Sequence, residues 1–263
     1  MTRALYSAAS GMTAQQLTLD NIANNLANAS TTGYKSRRSN FQDLLYQTMA
    51  QPGAASGAGS TVSVGLQVGL GTKAVSNGMI FTQGNSTETD SPLDMVIQGS
   101  GFFQIRRQNG EEAYTRAGSF QLDHNGNIVT AQGDYLDPQI RIPPGTQSIT
   151  IAQDGTVSYT LPGQTQSQQA GQILLANFQN PAGLESIGNS LYQQTDASGT
   201  QSVGVPGGQE GNGTLLQNYI EQSNVNVVEE FTNMIVCQRA YEANSKVAKA
   251  ADDMAQQTNS LSR

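Results

Sequence analysis

Apolar residues recur at helical spacing near the C-terminal end of the chain, between about Val225 and Gln257. This stretch contains neither Gly nor Pro, and Glu229 and Glu230 lie in its early turns, where a helix dipole favours negative charge. A helix of that length runs roughly 50 Å and usually packs against a partner helix. The apolar positions that we expect to face the partner are Val227, Phe231, Met234, Ile235, Tyr241 and Ala248.

The N-terminal segment supplies the expected partner. Its apolar residues form two rows at helical spacing. Ile22 belongs to the second row, which Gln15 interrupts. Such spacing is typical of one side of a coiled-coil helix. We predict that a helix ending near Thr31–Gly33, with the glycine as its C-terminal cap, pairs with the C-terminal helix. The large apolar residues of its first row fall seven positions apart, at Leu5, Met12, Leu19 and Leu26.

The opposite side of the N-terminal segment is rich in asparagine. Asn is a mediocre helix former, and a solvated helix surface normally carries Glu and Lys. We therefore expect amide hydrogen bonds between copies of the chain, with a weakly stable, hydrated helix as the alternative. The residues assigned to these contacts between subunits are Asn21, Asn24, Asn25 and Asn28 and, towards the other end of the chain, Asn224, Asn226, Gln238, Arg239 and Asn244.

Between the helical ends, short runs separated by turn signals predict β-strands, among them Ile128–Thr130 and Ile140–Ile142. Asn109-Gly110, Asn125-Gly126 and Asp154-Gly155 are strong hairpin or turn signals. The predicted fold class is α+β, with paired N- and C-terminal coiled-coil helices and an inserted, mostly antiparallel β domain. The predicted boundaries are 1–33 for the first helix, 34–92 for an extended connector, 93–204 for the β domain, 205–223 for a second connector and 224–263 for the last helix.

The first connector contains a low-complexity run, 51–71, that is rich in Gly, Ala and Ser. Its second half alternates apolar residues from Val62 to Leu70, which is typical of a strand. Two interpretations stay open, namely an arm that orders on contact with a partner and a plain disordered loop.

Composition adds a constraint on the surface of the protein. Charged residues make up only 13% of the chain, whereas about a quarter is usual. Few charges suit a protein that is packed against others, because interspersed charges suppress association. The net charge of −7 argues against nucleic-acid binding. We expect no membrane span and no secretory signal, since long apolar runs are absent, and composition alone suggests a cytosolic protein.

Candidate catalytic and metal-binding motifs fail on their spacing. His124 is the only histidine, and the Asp123–Asn127 run has Ile128 where a calcium loop requires glycine. Cys237 is the only cysteine, so we expect it to be a small buried residue rather than a disulfide partner. We therefore predict no catalytic residue, no metal site, no cofactor and no enzymatic activity.

Several blocks of the sequence resemble the bacterial flagellar rod and hook proteins. They are LDNIANNLANASTTGYKS at 19–36, the central SGFFQI and TRAGSFQLDHNGNIVTAQG, GNSLYQQTDASG at 188–199 and IEQSNVNVVEEFTNMIVCQRAYEANSKV at 220–247. The resemblance covers nearly the whole chain. Within the family, segment 51–73 resembles the extra segment that is characteristic of distal rod members.

The resemblance implies a structural subunit whose copies stack helically into the distal rod, a hollow drive shaft that crosses the periplasm. The terminal helices would line the channel, the β domain would face outward, and segment 51–73 would stiffen the rod. Family members leave the cell unfolded through the flagellar type III export apparatus without a cleaved signal, which removes the cytosolic expectation. The implied partners are other copies, the proximal rod proteins, the hook protein and the surrounding ring proteins.

Alternatives to the distal rod subunit remain at this point. The first is a hook or proximal-rod subunit of the same family. The second is a secreted coiled-coil adhesin with a β head, and a remote third is a wall hydrolase exported by the same apparatus.

Overall fold

The structure, a computed structural model, describes residues 2–50, 65–164, 166–208 and 212–261. The described residues fall into two compact units. The first unit lies within Met1–Leu26, Arg37–Gly78 and Val227–Arg263, and the second within Ala27–Ser36 and Met79–Asn226. The second unit therefore takes in residues 27–36 and 79–92 as well as the predicted β region.

The first unit contains both helices and two strand pairs. Strand β1 pairs with β4, and β2 pairs with β3 in an antiparallel hairpin in which Gln47 lies opposite Val68. The part of the predicted alternation in 62–70 that the structure describes contains the strand β3, and residues 51–64 lie outside the described part of the chain. The elements are α1 (Thr2–Ala27), β1 (Arg37–Asp43), β2 (Tyr46–Ala50), β3 (Leu66–Gly69), β4 (Thr72–Met79) and α2 (Val227–Leu261).

Helix α1 ends at Ala27, before the predicted stop at Thr31–Gly33. The chain turns instead, with the Thr31 amide donating to the Asn28 carbonyl at 3.1 Å. Gly33 adopts φ +68°, and a Cβ at this position would lie 2.5 Å from the Ala117 backbone nitrogen. The expectation that Gly33 caps the helix is therefore wrong, because this glycine serves a later turn that runs against another backbone segment.

The second unit is built around a nine-stranded sheet. Its main path is β16-β17-β8-β7-β11-β10-β9, and β15 joins β7 to β18. All of its described pairings are antiparallel, as in the hairpin where Phe103 lies opposite Thr115. The strands are β7 (Phe102–Arg106), β8 (Glu112–Thr115), β9 (Phe120–Leu122), β10 (Ile128–Thr130), β11 (Tyr135–Leu136), β15 (Leu175–Asn177), β16 (Glu185–Gly188), β17 (Leu191–Gln193) and β18 (Ser202–Gly204).

Smaller antiparallel sheets complete this unit. They follow the orders β12-β13-β14, β19-β6 and β20-β5. Ile140–Ile142, predicted as a strand, forms only an isolated bridge between Asn127 and Arg141. The strands are β5 (Ser86–Glu88), β6 (Met95–Gln98), β12 (Ser148–Ile151), β13 (Thr156–Thr160), β14 (Gln168–Gln172), β19 (Thr214–Gln217) and β20 (Tyr219–Glu221), and a short 3₁₀ turn spans Pro181–Gly183.

Turn chemistry matches the predicted hairpins. Gly110, Gly126 and Gly155 have φ values of 85°, 82° and 81°, a region that side chains with a Cβ rarely occupy. Their positions between strands explain why Asn-Gly and Asp-Gly pairs marked the turns in the sequence.

Two apolar clusters form the interior of the second unit. The larger one includes Met95, Phe103, Ile105 and Leu136, none of which has measurable exposure. The smaller one is aromatic, and its rings meet edge to face, with centroids 4.8 Å apart for Tyr114 and Phe178. The second unit thus closes a core of its own.

The prediction of an α+β fold with terminal helices around a mostly antiparallel β region is confirmed. Neither helix in the described part of the chain has an apolar stretch long enough to cross a membrane.

Candidate assembly surface

Helix α1 has one covered side that follows the seven-residue pattern. Residues that lie between the covered positions, such as Tyr6, Ala9 and Asp20, are exposed. Small residues along it allow close packing, since a Cβ on Gly11 would lie 2.9 Å from Asn244 Nδ2. The buried or half-buried positions, spaced three and four apart, are Leu5, Ala8, Met12, Gln15, Leu19, Ile22 and Leu26.

Helices α1 and α2 run antiparallel. The Cys237 thiol donates to the Gln15 carbonyl at 3.0 Å, and Asn25 Nδ2 donates to Glu230 Oε1 at 2.8 Å. Gly11 also lies close to Asn244. As the residue number rises in α1, from 11 to 15 to 25, the number of its contact residue in α2 falls, from 244 to 237 to 230. Burial raises the pKa of Cys237, as expected for a small packing residue with little thiolate character.

Helix α2 is covered along a similar but narrower stripe. Met234, Asn244 and Ala248 are half-buried, and Cys237 and Ala251 are buried. A shallow groove of about 380 Å³ runs between the helices beside Leu19 and Tyr241. Ala251, one turn beyond Ala248 on the same stripe, is 1% exposed.

Most large apolar side chains of α2 are exposed. Phe231 is 49% exposed, Ile235 59% and Val228 75%. Val227 and Tyr241 are also exposed. Of the residues predicted to pair the helices, the structure therefore brings together Leu5, Met12, Leu19, Ile22, Leu26, Met234 and Ala248, and it leaves Val227, Phe231, Ile235 and Tyr241 largely open.

Two asparagines of α1 are hydrogen-bonded within the chain. Asn25 Oδ1 accepts from the Arg37 amide at 2.9 Å, and its Nδ2 donates to the Arg37 carbonyl at 3.0 Å. Asn21 donates to the Ser39 hydroxyl and accepts from Asn77 Nδ2 at 2.9 Å. These amides therefore attach β1 and β4 to α1, and any contact of theirs with another copy stays a prediction.

The other polar residues assigned to subunit contacts are placed differently. Asn24, Asn226 and Gln238 are exposed on the surface, and Arg239 forms an exposed ion pair with Glu242 at 3.0 Å. Asn28 Oδ1 accepts from the Thr31 hydroxyl at 3.2 Å, at the turn after α1. Asn224 belongs to a separate arrangement within the second unit.

That arrangement, the junction cluster of Lys35, Arg116, Glu221 and Asn224, is buried except for the half-buried Asn224. Glu221 accepts from Lys35 Nζ at 2.6 Å and from Arg116 Nε at 3.1 Å. Asn224 Oδ1 accepts from the Ser36 amide at 2.7 Å, and its Nδ2 donates to the Ile80 carbonyl at 2.8 Å.

The junction cluster joins four segments of the second unit, around residues 35–36, 80, 116 and 221–224. Burial lowers the pKa of Lys35, a shift that the charge of Glu221 opposes. No local pattern in the sequence predicts this cluster, because Lys35 and Glu221 are 186 positions apart.

Within the described residues, no group of three or more His, Cys, Asp or Glu side chains is arranged to hold a metal ion. His124 lies exposed in its turn, where Asp123 accepts from the ring at 2.5 Å. This contact lowers the pKa of Asp123.

Comparison with known proteins agrees with this architecture. Residues 5–35 match the family "Flagella basal body rod protein", residues 96–159 match "Flagellar hook protein FlgE/F/G D1 domain", and residues 216–261 match "Flagellar basal body rod FlgEFG protein C-terminal". The terminal matches coincide with α1 and α2.

Curated relatives match over nearly the full length. The flagellar basal-body rod protein FlgG of Caulobacter vibrioides is 51% identical, covering 98% of this chain and 99% of the relative. FlgG of Buchnera aphidicola from Schizaphis graminum is 49% identical over 99% and 100% of the two chains. FlgF of Caulobacter vibrioides is 34% identical over 99% and 96%. With relatives this similar from end to end, and with its terminal helices matching the rod models, the chain belongs to the flagellar basal-body rod protein family.

Proposed function

We propose that this chain is a structural subunit of the distal rod of the bacterial flagellum. Copies assemble helically into the hollow shaft that transmits motor torque to the hook and filament. Support comes from the relatives named FlgG and from the lower identity to FlgF in the same organism, 34% against 51%. Family membership favours this function over the adhesin and the wall hydrolase.

The observation that carries self-assembly is the open apolar face of α2. A 35-residue helix, about 52 Å long, contacts only one partner helix within the chain. Phe231, Ile235 and Val236 are 49%, 59% and 63% exposed, whereas soluble monomers rarely present such contiguous apolar side chains. Covering each of them contributes roughly 1–2 kcal/mol, so several such contacts per subunit stabilise a polymer.

The decisive experiment is polymerisation of the purified chain at rising concentration, followed by light scattering and negative-stain electron microscopy. The double variant Phe231→Ser and Ile235→Ser should raise the concentration needed for polymers at least tenfold, because two apolar contacts per interface are lost. Leu122→Ser is the matched control, since Leu122 is also exposed but lies on the β unit. Wild-type chains that never form tubes or fibres would overturn the proposal.

Segment 51–73 is proposed to stiffen the rod relative to the bendable hook. Its described part supplies β3, which pairs with β2, and continues to Thr72, whose amide donates to Ser10 Oγ of α1 at 3.3 Å. Deletion of residues 51–69 should leave assembly intact but give curved or flexible rods in electron micrographs. Straight rods after the deletion would remove this role from the segment.

The proposed partners are the proximal rod proteins at one end, the hook protein at the other, the surrounding ring proteins and the flagellar type III export apparatus. An unfolded chain with few charges suits passage through a narrow channel. Ends that order only when a neighbour covers them also limit polymerisation before export.

A further inference from the structure

A cavity of about 520 Å³ opens in the second unit beside the junction cluster. Its apolar wall consists of Phe81, Phe102 and Phe178, whose rings meet edge to face at centroid distances of 5.4 and 5.8 Å. Its polar wall includes Arg116 and Asn177, and Ser100 lies at its margin. An aromatic wall facing a cation is typical of a binding pocket rather than of a packing defect.

The guanidinium of Arg116 is only partly used by the fold. The side chain is 5% exposed, and its Nε donates to Glu221 while its Nη1 donates to the Gly99 and Gly101 carbonyls at 2.9 and 2.6 Å. Guanidinium has five N–H donors, and the two on Nη2 form no hydrogen bond with the described residues. Arg116 lines the cavity, and its guanidinium carbon lies 6.0 Å from the centre of the Phe102 ring.

The charge around the cavity is unbalanced. Glu221 is the carboxylate shared by two cationic side chains, Lys35 and Arg116. Burying positive charge without a counter-charge is unfavourable, and an added carboxylate would relieve it. Asn177 adds a further donor, since its Oδ1 accepts from the Phe178 amide and its Nδ2 forms no hydrogen bond with the described residues.

The loop at the cavity margin is held in one shape. Gly99 and Gly101 adopt φ values of 105° and 129°, and the two hydrogen bonds from Arg116 fix their carbonyls. Ser100 is left exposed between them. The pocket is therefore prepared in the single chain and needs little reordering when it is filled.

We propose that this cavity receives an acidic side chain of a neighbouring copy of the same chain, a contact that rests on the proposed rod function. The carboxylate pairs with Nη2 of Arg116, and the methylene groups of the incoming side chain pack on the phenylalanine wall. A second copy suits the site because the chain carries a net charge of −7. Its second unit exposes Glu185 and Asp196, which form no ion pair within the described residues.

The test uses Ser100, because substitution of Arg116 itself would disturb folding. Ser100→Glu supplies a carboxylate from the margin of the same pocket, and Ser100→Gln is the neutral control of equal size. The full-length proteins are compared by thermal unfolding as monomers and by polymerisation at rising concentration. Ser100→Glu should raise the melting temperature above that of Ser100→Gln and should raise the concentration needed for polymers about tenfold, the factor that about 1.4 kcal/mol of lost contact gives.

Equal polymerisation of Ser100→Glu and wild type would overturn the inference, as would equal impairment by both variants, which would indicate bulk rather than charge. Saturation of the wild-type monomer by acetate at micromolar concentration, monitored by NMR, would assign the pocket to a free anion instead. If the wild-type chain itself forms no polymer, that result contradicts the proposed function and not the proposed binding of a carboxylate in the pocket. The comparison of melting temperatures still reports whether a carboxylate contacts Arg116.

Discussion

The first unit, the helical unit, and the second unit, the β unit, differ in how completely they bury their apolar side chains. The β unit encloses Met95, Phe103 and Ile105 completely and joins its buried charged side chains through Glu221 in the junction cluster. The helical unit buries few apolar side chains completely and leaves the side chains of Phe231 and Ile235 about half exposed. This difference teaches that the β unit has an enclosed apolar core of its own, whereas the helical unit keeps much of its apolar surface exposed in the single chain.

The largest expected effect is in amide hydrogen exchange of the isolated monomer. Amides of Leu5–Ala29 and of α2 should exchange orders of magnitude faster than those of β7 and β8, because opening the helices exposes little enclosed core. Mass spectrometry of exchange before and after polymerisation measures this, and the polymer should protect both helices. Strong, uniform protection of the amides of Leu5–Ala29 in the monomer would contradict the expected difference in stability between the two units.

A substitution within the junction cluster tests whether the β unit is self-sufficient. Glu221→Gln leaves Lys35 and Arg116 buried without their carboxylate, which should lower the free energy of unfolding by about 3–5 kcal/mol. Urea denaturation followed by circular dichroism measures the change, and Glu185→Gln on an exposed strand position is the control. A loss below about 1 kcal/mol would show that the cluster does not hold the unit together.

The smallest effect concerns alkaline pH. Burial, followed by the charge of Glu112, raises the pKa of Tyr114 to about 12. The folded state therefore holds this proton more tightly than the unfolded state, so its contribution to stability is complete below pH 10 and is lost as the pH rises through about 12.

Tyr114→Phe should accordingly show a stability deficit at pH 8 that closes between pH 10 and 12, in urea denaturations across that range. Tyr114 donates to Gln201, and Tyr159→Phe is the matched control because the Tyr159 hydroxyl likewise donates to a glutamine, Gln168, at 2.9 Å in an exposed contact. Parallel pH profiles for Tyr114→Phe and wild type would contradict the assignment.

Local signals predicted the elements well. The seven-residue spacing from Leu5 to Leu26 gave α1, and glycines such as Gly126 marked turns because only they adopt positive φ freely. Boundaries were less certain, since the end of α1 depends on Gly33 meeting Ala117, a residue distant in sequence. Apolar spacing along α2 also does not distinguish residues that are covered within the chain, such as Cys237, from residues that stay exposed, such as Phe231 and Ile235.

The sequence by itself determined the paired helices, the β region between them, the family and the absence of an obvious catalytic motif, because these follow from periodicity, turn chemistry and local blocks. Only the tertiary structure decided that Asn21 and Asn25 hold the strands beside α1, that Glu221 joins Lys35 and Arg116, and that a charged cavity opens next to them. These arrangements unite residues far apart in the chain, and their partners are selected by packing and by the need to satisfy buried polar groups, which no local pattern records.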